Sequence, residues 1–209
     1  MSNGKAFPLD VTNSNSIGDF FKEIVKEMGP ADALVTAAGI DNGQRSVAEL
    51  DHEFVMSTMD VNVVGLILCC QEFAKQAIDT GRPGIIVNLS SMAATIGGRM
   101  HKTVYAASKG AVDVFTVGAA KELAPHGISV FSVRPGVTRT DMTEKALADS
   151  KTKLKNGDLI QKNCNLFFPT CFSAFGRIHC NTHILRRGHN PTNLYRTHPW
   201  NIGYCNLFR

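Results

Sequence analysis

The chain reads as an α/β domain built on a parallel sheet with crossover helices, and two observations carry that expectation. Short apolar, β-branched runs alternate with longer amphipathic runs from Lys5 to Ala148, which is the pattern of strands joined by helices. Composition agrees: 44% of the 209 residues are hydrophobic and 19% charged, ordinary globular values that supply a core.

Taken in order, "KAFPLDV" is a short strand broken by Pro8. "NSNSIGDFFKEIVKEMG" offers Asn and Ser as N-caps, an apolar face of Ile17, Phe20, Phe21, Ile24 and Val25, and Gly29 as its stop, so it is a surface helix. "ADALVTAAGI" is a second strand whose small residues bring its carboxyl end tight against a neighbour. "LDHEFVMSTMDVNVVGLILCCQEFAKQAID" is a long helical region, in one piece or two, closed before Pro83. "GIIVNLSS" is a buried strand and "MAATIGGRMHK" a loop. "TVYAASKGAVDVFTVGAAKELAPHG" is a helix and "ISVFSVRPG" the last strand, giving βαβαβαβ without internal repeats.

Near Ser150 the chain changes character. Residues 1–150 hold 13 basic and 17 acidic side chains, whereas residues 151–209 hold 9 and 1, so the net charge of +4 combines an acidic body with a basic tail. We therefore divide the chain into a domain, 1–149, and a divergent, irregular tail, 150–209, rich in Cys, His and Asn. The tail's cysteines and histidines include no Cys-x-x-Cys pair, so no metal site is expected. Its basic residues are scattered without an amphipathic stripe, which argues against nucleic acid and against a membrane surface. No uninterrupted apolar run reaches a membrane span, and the first residues lack the regions of a signal peptide. The six cysteines do not form the spaced framework of a small secreted protein. A cytoplasmic setting with reduced thiols is the expectation.

Ligands of open α/β sheets sit beyond the carboxyl ends of the strands, where three polar clusters fall: Thr36 to Gly39, Asn88 to Ser91 and Arg134 to Thr140. Tyr105 and Lys109 stand four residues apart on one helix face, their Cβ atoms about 5–6 Å apart. A nearby ammonium favours phenolate, so Tyr105 is expected to titrate below its usual value of about 10 and to act as an acid–base. Ser91 ends the preceding strand and would face it across a carbonyl oxygen. Taken alone, the Tyr-x-x-x-Lys spacing also fits a tyrosine that merely anchors a helix.

The segments "LVTAAG", "DVNVVG", "NLSS", "YAASK" and "RPGVTRTDM", in that order, make the chain similar to the short-chain dehydrogenase/reductase family. The resemblance implies a Rossmann-like, doubly wound parallel sheet that lacks the family's first two strands. It also implies an NAD(P)-dependent oxidoreductase interconverting a secondary alcohol and a carbonyl. On this resemblance Tyr105 is the acid–base, Lys109 bonds the nicotinamide ribose and tunes the tyrosine, Ser91 orients the substrate carbonyl, and Asn62 holds a water in the proton relay. Asp10 would contact the adenine, and Ala37, Ala38 and Gly39 would form the turn past the adenine ribose. Pro135, Gly136 and Val137 would form the turn at the nicotinamide amide, with Thr140 near it, and Ser90 would be structural. The family carries asparagine where this chain has Thr36 and Ala37.

Two departures bear on function. The family's glycine-rich phosphate turn has no counterpart ahead of Asp10, and the tail replaces the segment that would cover the substrate. Such a tail suits a read-through or alternatively spliced end. The rival expectation is therefore an inactive product that acts only by pairing with an intact family member. Helices carrying Asn62 and Tyr105 commonly pair in family homodimers, and Val112, Phe115, Val63 and Leu66 would serve either that interface or the core.

Overall fold

The computed structural model describes residues 5–136 and two short strands, Asn165–Phe167 and Cys205–Phe208. Three strands form the parallel centre of the sheet: β1 (Ala33–Thr36), β2 (Gly84–Leu89) and β3 (Ile128–Arg134). β2 lies between the other two, with Leu34 opposite Ile86 and Ile86 opposite Val130. The two later strands, β4 (Asn165–Phe167) and β5 (Cys205–Phe208), pair antiparallel with the outer edges of β3 and β1, completing the order β4-β3-β2-β1-β5. These two strands were not visible in the aperiodic tail sequence.

The expected first strand does not form. Residues 5–10 have no ladder partner among the described residues, and Pro8 has no N–H to give one. Side chains hold the segment instead: Phe7 packs edge-on to Phe20 with ring centres 6.5 Å apart, and Leu9 and Val11 are buried. The observed alternation therefore begins with a helix.

That helix, α1 (Ser14–Met28), is capped by Asn13, whose side-chain oxygen accepts from Asn15 and Ser16 N–H, and stops at Gly29 with φ 80°. Ile17, Phe20, Phe21 and Ile24 are buried as expected, but Val25 turns out to solvent. The long region becomes α2 (His52–Met59) and α3 (Leu66–Asp79), joined through a π-helical turn at Asp60–Gly65. The extra residue per turn lets α3 present Leu66, Cys69, Cys70, Phe73, Ala74 and Ala77 to the sheet. By length and composition the continuous run His52–Asp79 would also pass for a membrane-crossing helix, although this buried stripe marks it as a core helix. A short helix, α4 (Ala93–Ile96), precedes α5 (Thr103–Leu123).

The core lies between one face of the sheet and the helices. Leu34, Ile86, Ile128 and Val130 pack in one cluster with the buried stripes of α1, α3 and α5. Strand alternation puts Val35, Ile85, Val87, Phe131 and Val133 on the other face, where Ile85 is 47% exposed. Of the residues weighed for a dimer interface, Val112 and Leu66 are core, and Phe115 packs against it. Met56, Val64, Ile78 and Val114 are the exposed large apolar side chains of these helices instead.

Candidate active site

The carboxyl ends of the three parallel strands are fixed by buried polar groups. Asn88, fully buried on β2, accepts from Thr36 Oγ1 at 2.9 Å and donates to Thr116 Oγ1 of α5 at 3.0 Å, while Cys70 Sγ of α3 approaches its oxygen at 3.4 Å. Thr36 thus ties β1 to β2 where the resemblance led one to look for an asparagine. Ser90 supports the same corner: its N–H donates to Val133 O at 2.8 Å and its hydroxyl to Lys109 O at 3.1 Å. That fits a structural role. On α5, Asp113 accepts from Ser132 Oγ at 2.9 Å and from Arg134 Nε at 2.8 Å, fastening the helix to the end of β3. Asp113 sits one turn beyond Lys109, a spacing readable in the sequence, but its partners on β3 are not.

These anchors bring Ser91, Tyr105, Lys109 and Asn62 together. Asn62 lies inside the π-helical turn and is fully buried. Its oxygen accepts from Ile40 N–H at 2.8 Å, and its amide donates to Ile40 O at 2.9 Å and Ser108 Oγ at 3.0 Å. The side chain therefore clamps the loop after β1 to α5. π-turns gather at functional positions, and this one rotates Asn62 into the site.

Lys109 is buried, and its ammonium donates to Leu89 O at 2.8 Å. Burial lowers it to about 8, against the opposing pull of the Asp113 carboxylate. Gly39 leaves the space above it open: a Cβ there would sit 3.3 Å from Lys109 Nζ and 3.4 Å from Asn62 Oδ1. An ammonium has three protons, and one is committed to a protein acceptor among the described residues. A small cradle with hydrogen-bond donors at its floor fits a vicinal diol such as a ribose.

The Ser91 hydroxyl lies close enough to the Tyr105 phenol to favour its ionised form, and the ring centre is 5.9 Å from Lys109 Nζ. The expectation of a lowered tyrosine pKa is corrected here. Burial raises it above 10, the Ser91 contact only partly offsets this, and the Asp41 carboxylate adds to the rise. A buried ammonium that is itself easier to deprotonate does less to hold a phenolate.

The remaining residues divide. Ala37, Ala38 and Gly39 follow β1 directly, and Pro135 O accepts from Met92 N–H at 3.2 Å, setting the Pro135–Gly136 turn beside the loop that begins at Ser91. Asp10 is exposed and its carboxylate is engaged by Thr12, accepting from N–H at 2.9 Å and Oγ1 at 2.7 Å, which lowers its pKa. Val137 and Thr140 lie outside the described residues. No group of three or more metal-ligating side chains occurs among the described residues.

Asp41, Asn42, His101 and Lys102, which the sequence reading did not single out, join Tyr105 around a small cleft. Their signal was weak because they come from two loops 61 residues apart, closed by the Lys102–Asp41 ion pair.

A family model described as short chain dehydrogenase matches residues 2–151. An uncharacterised oxidoreductase of Escherichia coli K12 is 41% identical over 143 residues, covering 66% of this chain and 58% of that protein. A 3beta-hydroxysteroid dehydrogenase of Mediterraneibacter gnavus is 34% identical over 151 residues, covering 72% of this chain and 54% of its own length. The chain thus spans a little over half the length of these relatives. Among solved structures, a gluconate 5-dehydrogenase from Burkholderia cenocepacia in complex with NADP and tartrate superposes with a TM-score of 0.64 at 29% identity, covering 68% of this chain and 55% of that one.

Proposed function

We propose, from the premise that this chain belongs to the short-chain dehydrogenase family, that it is an oxidoreductase using NAD or NADP to interconvert a secondary alcohol and a carbonyl. The observation that carries the reading is the gathering of Ser91, Tyr105 and Lys109, with Gly39 leaving room over the Lys109 ammonium. A similar structure holds NADP, which supports a nicotinamide dinucleotide without choosing between the two.

The bound nicotinamide would supply or accept the hydride, which no side chain can provide. Lys109 would hold ribose hydroxyls through its uncommitted N–H groups, beside Gly39. The Pro135–Gly136 turn would receive the carboxamide. Tyr105 would give its phenolic proton to the carbonyl oxygen in reduction and recover it in oxidation. Its raised pKa in the cofactor-free chain suits the donor role, since the phenol stays protonated at neutral pH. Ser91 would steady the same oxygen, and Asn62 would keep Ile40 and Ser108 fixed around the proton's route.

The test has two arms on the purified chain. Fluorescence titration with NADH and NADPH should show saturable binding. In Tyr105→Phe, turnover of a secondary alcohol should fall by about 10²–10⁴ while cofactor affinity stays unchanged. Unaltered turnover in that variant would refute the role of Tyr105.

A second reading is favoured by the exposed Met56, Val64 and Val114 on α2, the π-turn and α5. Here the chain pairs with a copy of itself or an intact relative through those helices, with or without catalysis. Light scattering after gel filtration should show a dimer that Val114→Asp dissociates, and a concentration-independent monomer would end the idea. The buried free thiols of Cys69 and Cys70 suit the reducing cytoplasm we propose as its setting.

A further inference from the structure

Three charged side chains of alternating sign link α5 to the end of β3. Lys109 and Asp113 stand one turn apart on α5, and Asp113 accepts from Arg134 Nε at 2.8 Å. Its other oxygen accepts from Ser132 Oγ at 2.9 Å. Lys109 and Asp113 are buried, and the Arg134 side chain is only 20% exposed. The two ends of this link lead to different parts of the site. Gly39 leaves room over the Lys109 ammonium, whereas Arg134 ends β3 and runs directly into the Pro135–Gly136 turn.

Fastening a helix to a strand needs no charge. Apolar side chains of matching size commonly replace a buried ion pair without loss of stability, because each ion forfeits its hydration on burial. Such a replacement would remove the field of the carboxylate at Lys109, four residues away, where Cβ atoms are about 5–6 Å apart. Buried charges are poorly screened by salt, and this carboxylate is the pull that favours the ammonium against burial. The other groups around Lys109 do not substitute for it. On α5, Tyr105 presents a phenol; Asp41, from the loop after β1, is paired with Lys102; Cys70, from α3, is a thiol turned to Asn88; and Asn62 and Ser90 are neutral.

We propose that Asp113 is a positioning residue that joins the Lys109 turn of α5 and the Pro135–Gly136 turn after β3 into one charge-linked unit for holding a nicotinamide cofactor. This role rests on reading Lys109 and that turn as the holders of ribose and carboxamide. Asp113 itself touches neither cofactor nor substrate. It keeps a proton on Lys109 and sets the direction in which β3 ends. Arg134 draws on the same carboxylate, so its charge works against the ammonium of Lys109 while its bond to Asp113 seats the turn.

The experiment reads Lys109 directly, by NMR of the full chain labelled with carbon-13 at lysine Cε, with Lys109→Met identifying the resonance. At pH 8, near the wild-type midpoint of about 8, Asp113→Asn should lower the ratio of charged to neutral Lys109 at least about threefold, and Arg134→Met should raise it at least about twofold. A mere fastener would weaken the fold in both variants and leave the ratio unmoved, or move it the same way in both. Should one variant not fold by circular dichroism, the sign of the change in the other decides. Fluorescence titration at pH 8 should also show NADPH binding weakened at least about threefold in Asp113→Asn. A wild type that binds no NADPH would defeat the cofactor reading and take this role with it, whatever the NMR shows. Where the wild type binds, a ratio unmoved in a folded variant, shifts of equal sign, or unaltered NADPH affinity in folded Asp113→Asn overturns this inference alone.

Discussion

Lys109 offers a sharp test because its charge can be read through stability without any substrate. The unfolded chain holds the lysine proton to about 10.5, whereas the native chain releases it near 8 because the ammonium is buried. Between those values the unfolded state binds more protons, so stability rises with pH across that window and is flat below it. From pH 7 to pH 9 the gain is on the order of 1 kcal/mol. The buried Cys70 thiol, whose pKa burial pushes up from 9.0, acts in the opposite sense as the pH approaches and passes 9, and Tyr105 does so above 10. A bare pH profile would mix these effects. Lys109→Met removes only the first of them: it keeps the length and burial of the side chain, and its loss of the bond to Leu89 O is offset by relief of the buried charge. Urea unfolding of both proteins at pH 7, 8 and 9 should show the wild type gaining on the order of 1 kcal/mol relative to the variant. Parallel profiles would mean that burial does not set the protonation of Lys109, and the account of the cradle beneath Gly39 would fall with it.

Other expectations follow from single contacts. Gly65→Ala would place a Cβ 2.5 Å from Val11 O and 2.8 Å from Val11 Cβ; despite better helix propensity it should cost about 1–3 kcal/mol in urea unfolding. Gly84→Ala, 2.8 Å from the Phe73 ring, should destabilise by a similar amount, and a stable variant would show that Phe73 has room to move. Thr36→Val removes the hydroxyl that donates to Asn88 and should cost about 1–3 kcal/mol, checked by thermal unfolding. Gly39→Ala would fill the space over Lys109 and Asn62; NADPH affinity should fall at least about tenfold with stability little changed, so unchanged affinity would move the dinucleotide elsewhere.

Much of this molecule was legible as one-dimensional pattern. Period-two and period-3.6 runs located β1, β2, β3, α1, α3 and α5, because burial against a sheet demands those spacings. Asn13 and Gly29 marked the ends of α1 for local reasons of capping and backbone freedom. Ser91, Tyr105 and Lys109 could be chosen because they lie on one helix and the strand end before it. The tertiary structure decided what depends on neighbours. Lys5 to Asp10 has strand composition and no strand, since a ladder needs a second chain segment with free backbone groups, and sequence pattern cannot supply that partner. Tyr105 lies four residues from an ammonium, yet its pKa rises, because burial, reinforced by the Asp41 carboxylate, outweighs the contact with Ser91. The Asp41–Lys102 closure, the Asn88 network and the Asp113–Arg134 anchor join residues from 18 to 61 positions apart. Hydrogen bonds are directional and short-ranged, so partnerships across such separations exist only once the chain has folded.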